Sequence, residues 1–176
     1  MGSASTTDGA HAHPELESLN AADLVRVAAW FHDAVYDPNR DDNETASANL
    51  AETVLDRLDV EEEVADEVSR LVRLTATHDP EPDDRDGHVL CDADLAVLGS
   101  PQDAYIAYAA SVRLEYAYLD DDQFAVGRTQ VLQVLLDRPR LYRTPTARAS
   151  WEDAARRNIS QELAFLAGEG AAGRLF

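Results

Sequence analysis

An all-α fold is predicted by three observations. Apolar residues recur at helical spacing along nearly the whole chain. Short joints rich in Pro, Gly, Asn and Asp separate these periodic stretches. No stretch alternates apolar and polar residues as a half-buried strand does, and the chain has no internal repeat.

Residues 1–19 are small and polar and are expected to form a flexible N-terminal segment. A first helix is predicted over 21–36, where Leu24, Val27, Ala28, Phe31 and Val35 share one face. Pro38 and the polar cluster at 39–42 stop it. Asp41, with Glu44 three residues on, has the form of a capping box opening a second helix. The inner face of that helix is Ser47, Leu50, Ala51, Val54, Leu55 and Leu58. A third is predicted over 60–77 with Val64, Val68, Leu71 and Thr75 in line, and His78 continues the stripe at its C-terminal end. An acidic, Pro-containing loop over 79–87 follows, then a short apolar stretch, 89–98, interrupted by Asp92 and Asp94.

Ser100-Pro101-Gln102-Asp103 combines an N-cap, a first-turn proline and a carboxylate three residues after the cap. The helix it opens carries Tyr105, Tyr108, Ala109, Val112, Tyr116 and Leu119, tyrosines better suited to a core than to base stacking. The next helix is predicted over 121–137, stopped by Pro139. The last, over 148–167, places Trp151, Ala155, Ile159, Leu163 and Leu166 on one side and ends at Gly168. The organisation expected is one compact helical domain over 20–168 with a tail at 169–176.

A chain of 176 residues, 45% of them hydrophobic, suffices for one well-cored domain. No run approaches the roughly 18 apolar residues that cross a bilayer, and the N-terminus lacks the basic start and apolar stretch of a secretion signal. With the single Cys91 no internal disulfide can form, and a cytoplasmic setting is expected. The formal charge is −19, and all 15 basic residues are arginine. Such a field repels nucleic-acid polymers and anionic membranes, so neither is an expected partner. Between Asp33 and Asp94 there are 20 acidic residues against 5 arginines, whereas from Leu95 onward there are 10 against 9. The first stretch suits cations, and the second can supply counter-charges for an anionic ligand.

The groups that carry chemistry are concentrated. His32 and Asp33 are consecutive on the first helix and project about 100° apart, so both can approach one ion from adjacent directions. Each candidate alone has a plainer explanation. A His-Asp dipeptide arises by chance, His78 suits a helix C-terminus as a cation, and Asp92 can cap the turn after Gly87. Asp94 lies among Ala93, Leu95, Val97 and Leu98, where a buried carboxylate needs a partner. Together these imidazoles and carboxylates suit a divalent ion such as manganese, magnesium, zinc or iron.

The stretch Ala29-Trp30-Phe31-His32-Asp33-Ala34-Val35-Tyr36-Asp37-Pro38, followed by Asp42-Asn43-Glu44 and Ser47-Ala48, resembles the metal-dependent phosphohydrolases of the HD superfamily. So do Cys91-Asp92-Ala93-Asp94-Leu95-Ala96-Val97-Leu98-Gly99 and Val112-Arg113-Leu114-Glu115-Tyr116. Gly127-Arg128 and Arg138-Pro139-Arg140-Leu141-Tyr142 extend the likeness, which covers roughly residues 22 to 166. The resemblance implies an HD-type helical bundle with a metal held by a His, a His-Asp pair and a distant Asp. His32 and Asp33 match the pair, Asp94 matches the distant aspartate better than Asp92, and His78 matches a histidine at the site's rim.

The family pattern also places a helix upstream, with a Tyr-His and a further His that supplies the first ligand. The residues that precede Trp30 in this sequence are expected to be too few for that helix, whether through a real loss or a start placed too far downstream, and His11 and His13 lie in a Gly/Ser/Thr-rich segment. Either one of these completes the shell, or His78 does, or the site is weakened.

The function implied is hydrolysis of a small phosphorylated molecule, a nucleotide or phosphate ester, by metal-activated water. Asp33 binds metal and orients the water, Asp37 and Glu44 are candidate proton acceptors, and Arg113 and Arg128 are candidate phosphate contacts. Glu44 also fits the capping box, and Arg113 a surface pair with Glu115 or Asp103. The alternative is an HD-like binding or regulatory module whose turnover is weakened or lost with the first ligand. A metal-free interaction protein ranks third, because it leaves Asp94 without a partner.

Overall fold

The computed structural model describes residues 20–168. The expected flexible segment and tail, with His11 and His13, lie outside the described residues. Among the described residues there are seven α-helices and one 3-10 helix, and no strand; the all-α class is as predicted, whereas residues 85–94, expected as the end of a loop and a short apolar stretch, form an additional helix opened by the Asp84 cap. In chain order the α-helices are α1 (Ala21–Phe31), α2 (Asn43–Arg57), α3 (Glu62–Leu74), α4 (Arg85–Asp94), α5 (Gln102–Glu115), α6 (Asp121–Leu136) and α7 (Pro145–Leu166). The 3-10 helix (Leu95–Gly99) joins α4 to α5. Among the described residues no helix is long and apolar enough to cross a membrane.

Two cores form. In the first, Ala28 of α1, Ala48 and Ala51 of α2, Val68, Leu71 and Val72 of α3 and Leu90 of α4 pack together. The small alanines let α1 and α2 come close to α3, while the branched residues fill the space between them. The second core gathers Leu98, Tyr105, Leu132, Leu141, Tyr142, Ala155 and Ile159 from the 3-10 helix, α5, α6, the joint after α6, and α7.

Several helix ends differ from the expected ones, for physical reasons. α1 stops at Phe31 because Ser47 of α2 takes over the backbone of Val35, its hydroxyl accepting from the Val35 N–H at 2.9 Å and donating to the Val35 carbonyl at 3.2 Å. α3 stops at Leu74, where the Thr75 hydroxyl donates to the Val72 carbonyl and the chain turns through His78. The expected capping box of α2 is not formed: the N-cap is Asp42, and its carboxylate is held by Arg40 at 2.7 and 2.9 Å. Leu50 and Leu58, placed on the inner face of α2, are exposed, and Ala48 packs inward instead. Ser100 does not cap α5, because its hydroxyl donates to the Val97 carbonyl. α6 opens with a capping box from Asp120 and Gln123. α7 starts at Pro145 behind the N-cap Thr144, three residues before the expected start. Gly168 follows α7 in the left-handed conformation that closes a helix, with φ of 74°.

Two glycines differ in what surrounds them. A methyl group on Gly99 would lie 2.4 Å from Trp151 Cβ, so Gly99→Ala is expected to destabilise the protein by about 1–3 kcal/mol. Gly127 lies within α6 with open space around it, so Gly127→Ala is expected to stabilise by roughly 0.5–1 kcal/mol. Urea unfolding of the two variants checks both signs.

Candidate functional site

Three helix C-termini converge on the carboxylate of Asp94. His32 is the C-cap of α1, His78 lies in the turn that ends α3, and Asp94 is the last residue of α4. His32 Nε2 lies 3.3 Å from Asp94 Oδ1 and 3.3 Å from Asp33 Oδ2. His78 Nε2 lies 2.6 Å from Asp94 Oδ2. The other ring nitrogen of His32, Nδ1, sits 2.8 Å from the Ala29 carbonyl, a contact that requires Nδ1–H and turns Nε2 toward the carboxylates. Asp94 and both imidazoles are mostly buried, whereas 64% of the Asp33 side chain remains exposed and opens the cluster to solvent on one side. Carbonyl dipoles at the three helix ends add partial negative charge, which favours cations there.

The cluster is strongly polarised. Hydrogen bonding to Asp33 and then Asp94 raises the His32 pKa to about 10, against the opposing effect of burial. Burial alone would raise the Asp94 carboxyl, but hydrogen bonds from His32 and His78 outweigh it and hold Asp94 well below the usual carboxylate range.

Of the remaining predicted residues, Asp92, Arg113 and Arg128 are engaged with other partners. Asp92 does not cap the turn after Gly87. It is buried, and its two oxygens accept the backbone N–H groups of Arg143 at 2.6 Å and Thr144 at 2.7 Å, while Asp84 caps the helix through Gly87. Asp37 accepts from the Asn39 backbone and side chain, which lower its pKa and make it a weaker base. Glu44 stands in the first turn of α2. Arg113 does not pair with Glu115 or Asp103; it binds the carbonyls of Tyr116 and Leu119 and the Asp121 carboxylate, with its guanidinium over Phe124. Arg128 forms a buried ion pair with Glu162 at 2.8 Å. A phosphate reaching either arginine would have to displace these partners.

Two groups of residues went unread in the sequence. Glu162 is fully buried and accepts from Arg128 and from the Tyr105 hydroxyl. The signal was positional: Arg128 stands midway between the core residues Phe124 and Leu132 on α6, and Glu162 falls on the α7 stripe of Ala155 and Ile159. Arg138 and Arg143 were also missed. Arg138 donates to the carbonyls of Thr77 at 2.9 Å and His78 at 3.3 Å, behind the cluster, and no local spacing announces that contact.

Imidazole nitrogen and carboxylate oxygen are donor types that divalent ions accept. With metal–ligand bonds of about 2.1 Å, neighbouring ligand atoms in a tetrahedral shell stand about 3.4 Å apart, close to the two contacts of His32. The His78–Asp94 contact is shorter and is a direct hydrogen bond. Among the described residues no group of three or more His, Cys, Asp or Glu side chains is disposed to hold an ion as it stands, so that contact must open for His78 to serve as a ligand. Comparison with protein-family models, with curated proteins and with solved structures gave no match to this chain.

The two shifts set a pH window for the metal-free protein. His32 contributes stability that is full below its unfolded value of 6.5 and is lost as pH rises through about 10. Asp94 contributes above its unfolded value of 3.8, and this is lost as pH falls toward its depressed folded value. The cluster is therefore expected to stabilise the fold most between about pH 4 and 6.5. In Asp94→Asn the His32 titration, followed by NMR of the imidazole protons, is expected to move down toward the ordinary range. An unmoved titration would show that Asp94 does not hold the His32 proton.

Proposed function

We propose that this chain is a metal-dependent hydrolase of small phosphorylated molecules, built on an HD-type helical bundle. The observation that carries the proposal is the meeting of two imidazoles and two carboxylates, brought from the ends of α1, α3 and α4 to one partly open point. In this proposal His32, Asp33, Asp94 and His78 hold a divalent ion, of the manganese, magnesium, zinc or iron type. The ion, when bound, supplies Lewis acidity toward a phosphoryl oxygen and lowers the pKa of a water.

The protein's own part is orientation. The Ala29 carbonyl fixes the His32 ring so that Nε2 faces inward. Asp94 stands between both imidazoles, and Asp33, on the solvent side, is placed to orient a water. Asp37 and Glu44 remain the candidate proton acceptors, Asp37 weakened as a base by the hydrogen bonds it accepts from Asn39. The setting proposed is cytoplasmic, and the partner a small soluble phosphate rather than a nucleic-acid polymer.

A second reading, a binding or regulatory module without turnover, is favoured by one observation. The direct His78–Asp94 hydrogen bond satisfies the cluster internally, without an ion.

Metal analysis separates these. The protein is expected to bind manganese or zinc stoichiometrically, and His32→Ala and Asp94→Ala to weaken that binding by about 100-fold or more, since even supporting partners are worth roughly 10–100-fold. Undiminished binding in both variants would exclude a metal at this cluster. Bound metal with no release of phosphate or pyrophosphate from a panel of nucleotides and phosphate esters would favour the regulatory module.

A further inference from the structure

A cleft of about 540 Å³ lies beside the His-Asp cluster, lined by Thr77, Asp79, Arg138, Pro139, Arg140 and Arg143. It is large enough for a small organic phosphate. Thr77 and Asp79 flank His78 directly, so cleft and cluster share one short segment. The cleft's charge is opposite to that of the chain: three of the 15 arginines of a protein with net charge −19 meet here, against one aspartate.

The arginines are held but not neutralised. Arg138 is anchored by two carbonyls, and among the described residues no carboxylate offsets its charge. Arg143 is fixed through its backbone N–H, which donates to the buried Asp92. Among the described residues its guanidinium meets only Asp79, at 2.7 Å, and the Asp79 side chain is 76% exposed. A surface pair of that kind contributes little and exchanges readily for a better anion. Arg140 is exposed and makes no ion pair or hydrogen bond among the described residues. One anchored, one exchangeable and one free guanidinium make a receptor for an anion of charge two or more, and the planar fork matches phosphate oxygens.

We propose that this cleft binds the phosphoryl groups of a soluble phosphate ester or polyphosphate. The assignment names the substrate subsite of the hydrolase proposed above and rests on that proposal for its chemistry. Its test does not need the metal.

Calorimetric titration of inorganic pyrophosphate into the full chain, in metal-free buffer, reads the cleft alone. Saturable binding is expected, about tenfold weaker in Arg140→Ala and in Arg143→Ala, and a few-fold tighter in Asp79→Asn, where the competing carboxylate is neutralised. Arg57→Ala, on the exposed end of α2, removes the same charge elsewhere and is expected to leave binding unchanged. Arg140 is a surface side chain without partners, so its loss does not threaten folding, and circular dichroism verifies this. The proposal is overturned if the native protein binds no pyrophosphate, if Arg140→Ala binds as well as the native protein, or if Arg57→Ala loses as much. Failure of the hydrolase proposal has a different signature: His32→Ala keeps its metal while the arginine variants still lose pyrophosphate.

Discussion

The Asp94 carboxylate is the constraint to which the rest of the site answers. It stands at the end of α4 with only a quarter of its side chain exposed, and an ion so placed must be met by protons or positive charge. His32 and His78 meet it, and in doing so they fix the ends of α1 and α3 against the end of α4. Asp92, two residues earlier, projects about 200° away around the same helix. It therefore reaches the opposite neighbour, the backbone that starts α7. One turn of α4 thus ties the first core to the second through two carboxylates, and neither could be replaced by an apolar residue without orphaning its donors.

Glu162 extends the same logic into the second core. It is fully buried, yet Arg128 and Tyr105 satisfy both of its oxygens, joining α5, α6 and α7. Burial first, and then Glu162 itself, push the Tyr105 phenol well above its ordinary range, so it stays a hydrogen-bond donor. Among the described residues no buried side-chain nitrogen or oxygen lacks a partner. Breaking such a pair on one side leaves an uncompensated charge in the interior, at a typical cost of about 3–5 kcal/mol. The strongly acidic composition is therefore concentrated outside the cores, and the few acids inside each have a defined mate.

Much of the helical order was legible, because the 3.6-residue period survives wherever one face is buried. His78 and Asp94 were legible for a different reason: polar groups in line with an apolar stripe or interrupting an apolar stretch call for partners, and the structure makes them each other's, whereas His32 and Asp33 stood out as a consecutive pair and through the resemblance. What could not be read was long-range competition. Nothing near Val35 indicates that Ser47 will claim its backbone and end α1 early. The Asp41–Glu44 pattern looked like a capping box, but Arg40 holds the N-cap carboxylate of Asp42. Arg128 and Glu162 are 34 residues apart, and only their positions on buried stripes hinted that they would meet.

His78 divides the site into two electrostatic halves. Its φ of 50° places it in the left-handed region, unfavourable for a residue with a Cβ and therefore held by its surroundings. Those surroundings are opposite in sign. The ring is held by the Asp94 carboxylate, while the carbonyl is held by the Arg138 guanidinium. An ordinary helical continuation, with the stripe running on through residue 78, would have left that carbonyl inside the helix and withdrawn it from Arg138. The turn separates a cation-favouring cluster from an arginine-lined cleft by the width of one residue. In the hydrolase proposed above, a phosphate bridging the two would lie with its charge against the arginines and its reactive centre toward the imidazoles and carboxylates. That arrangement follows from the turn at His78 more than from any single charged side chain.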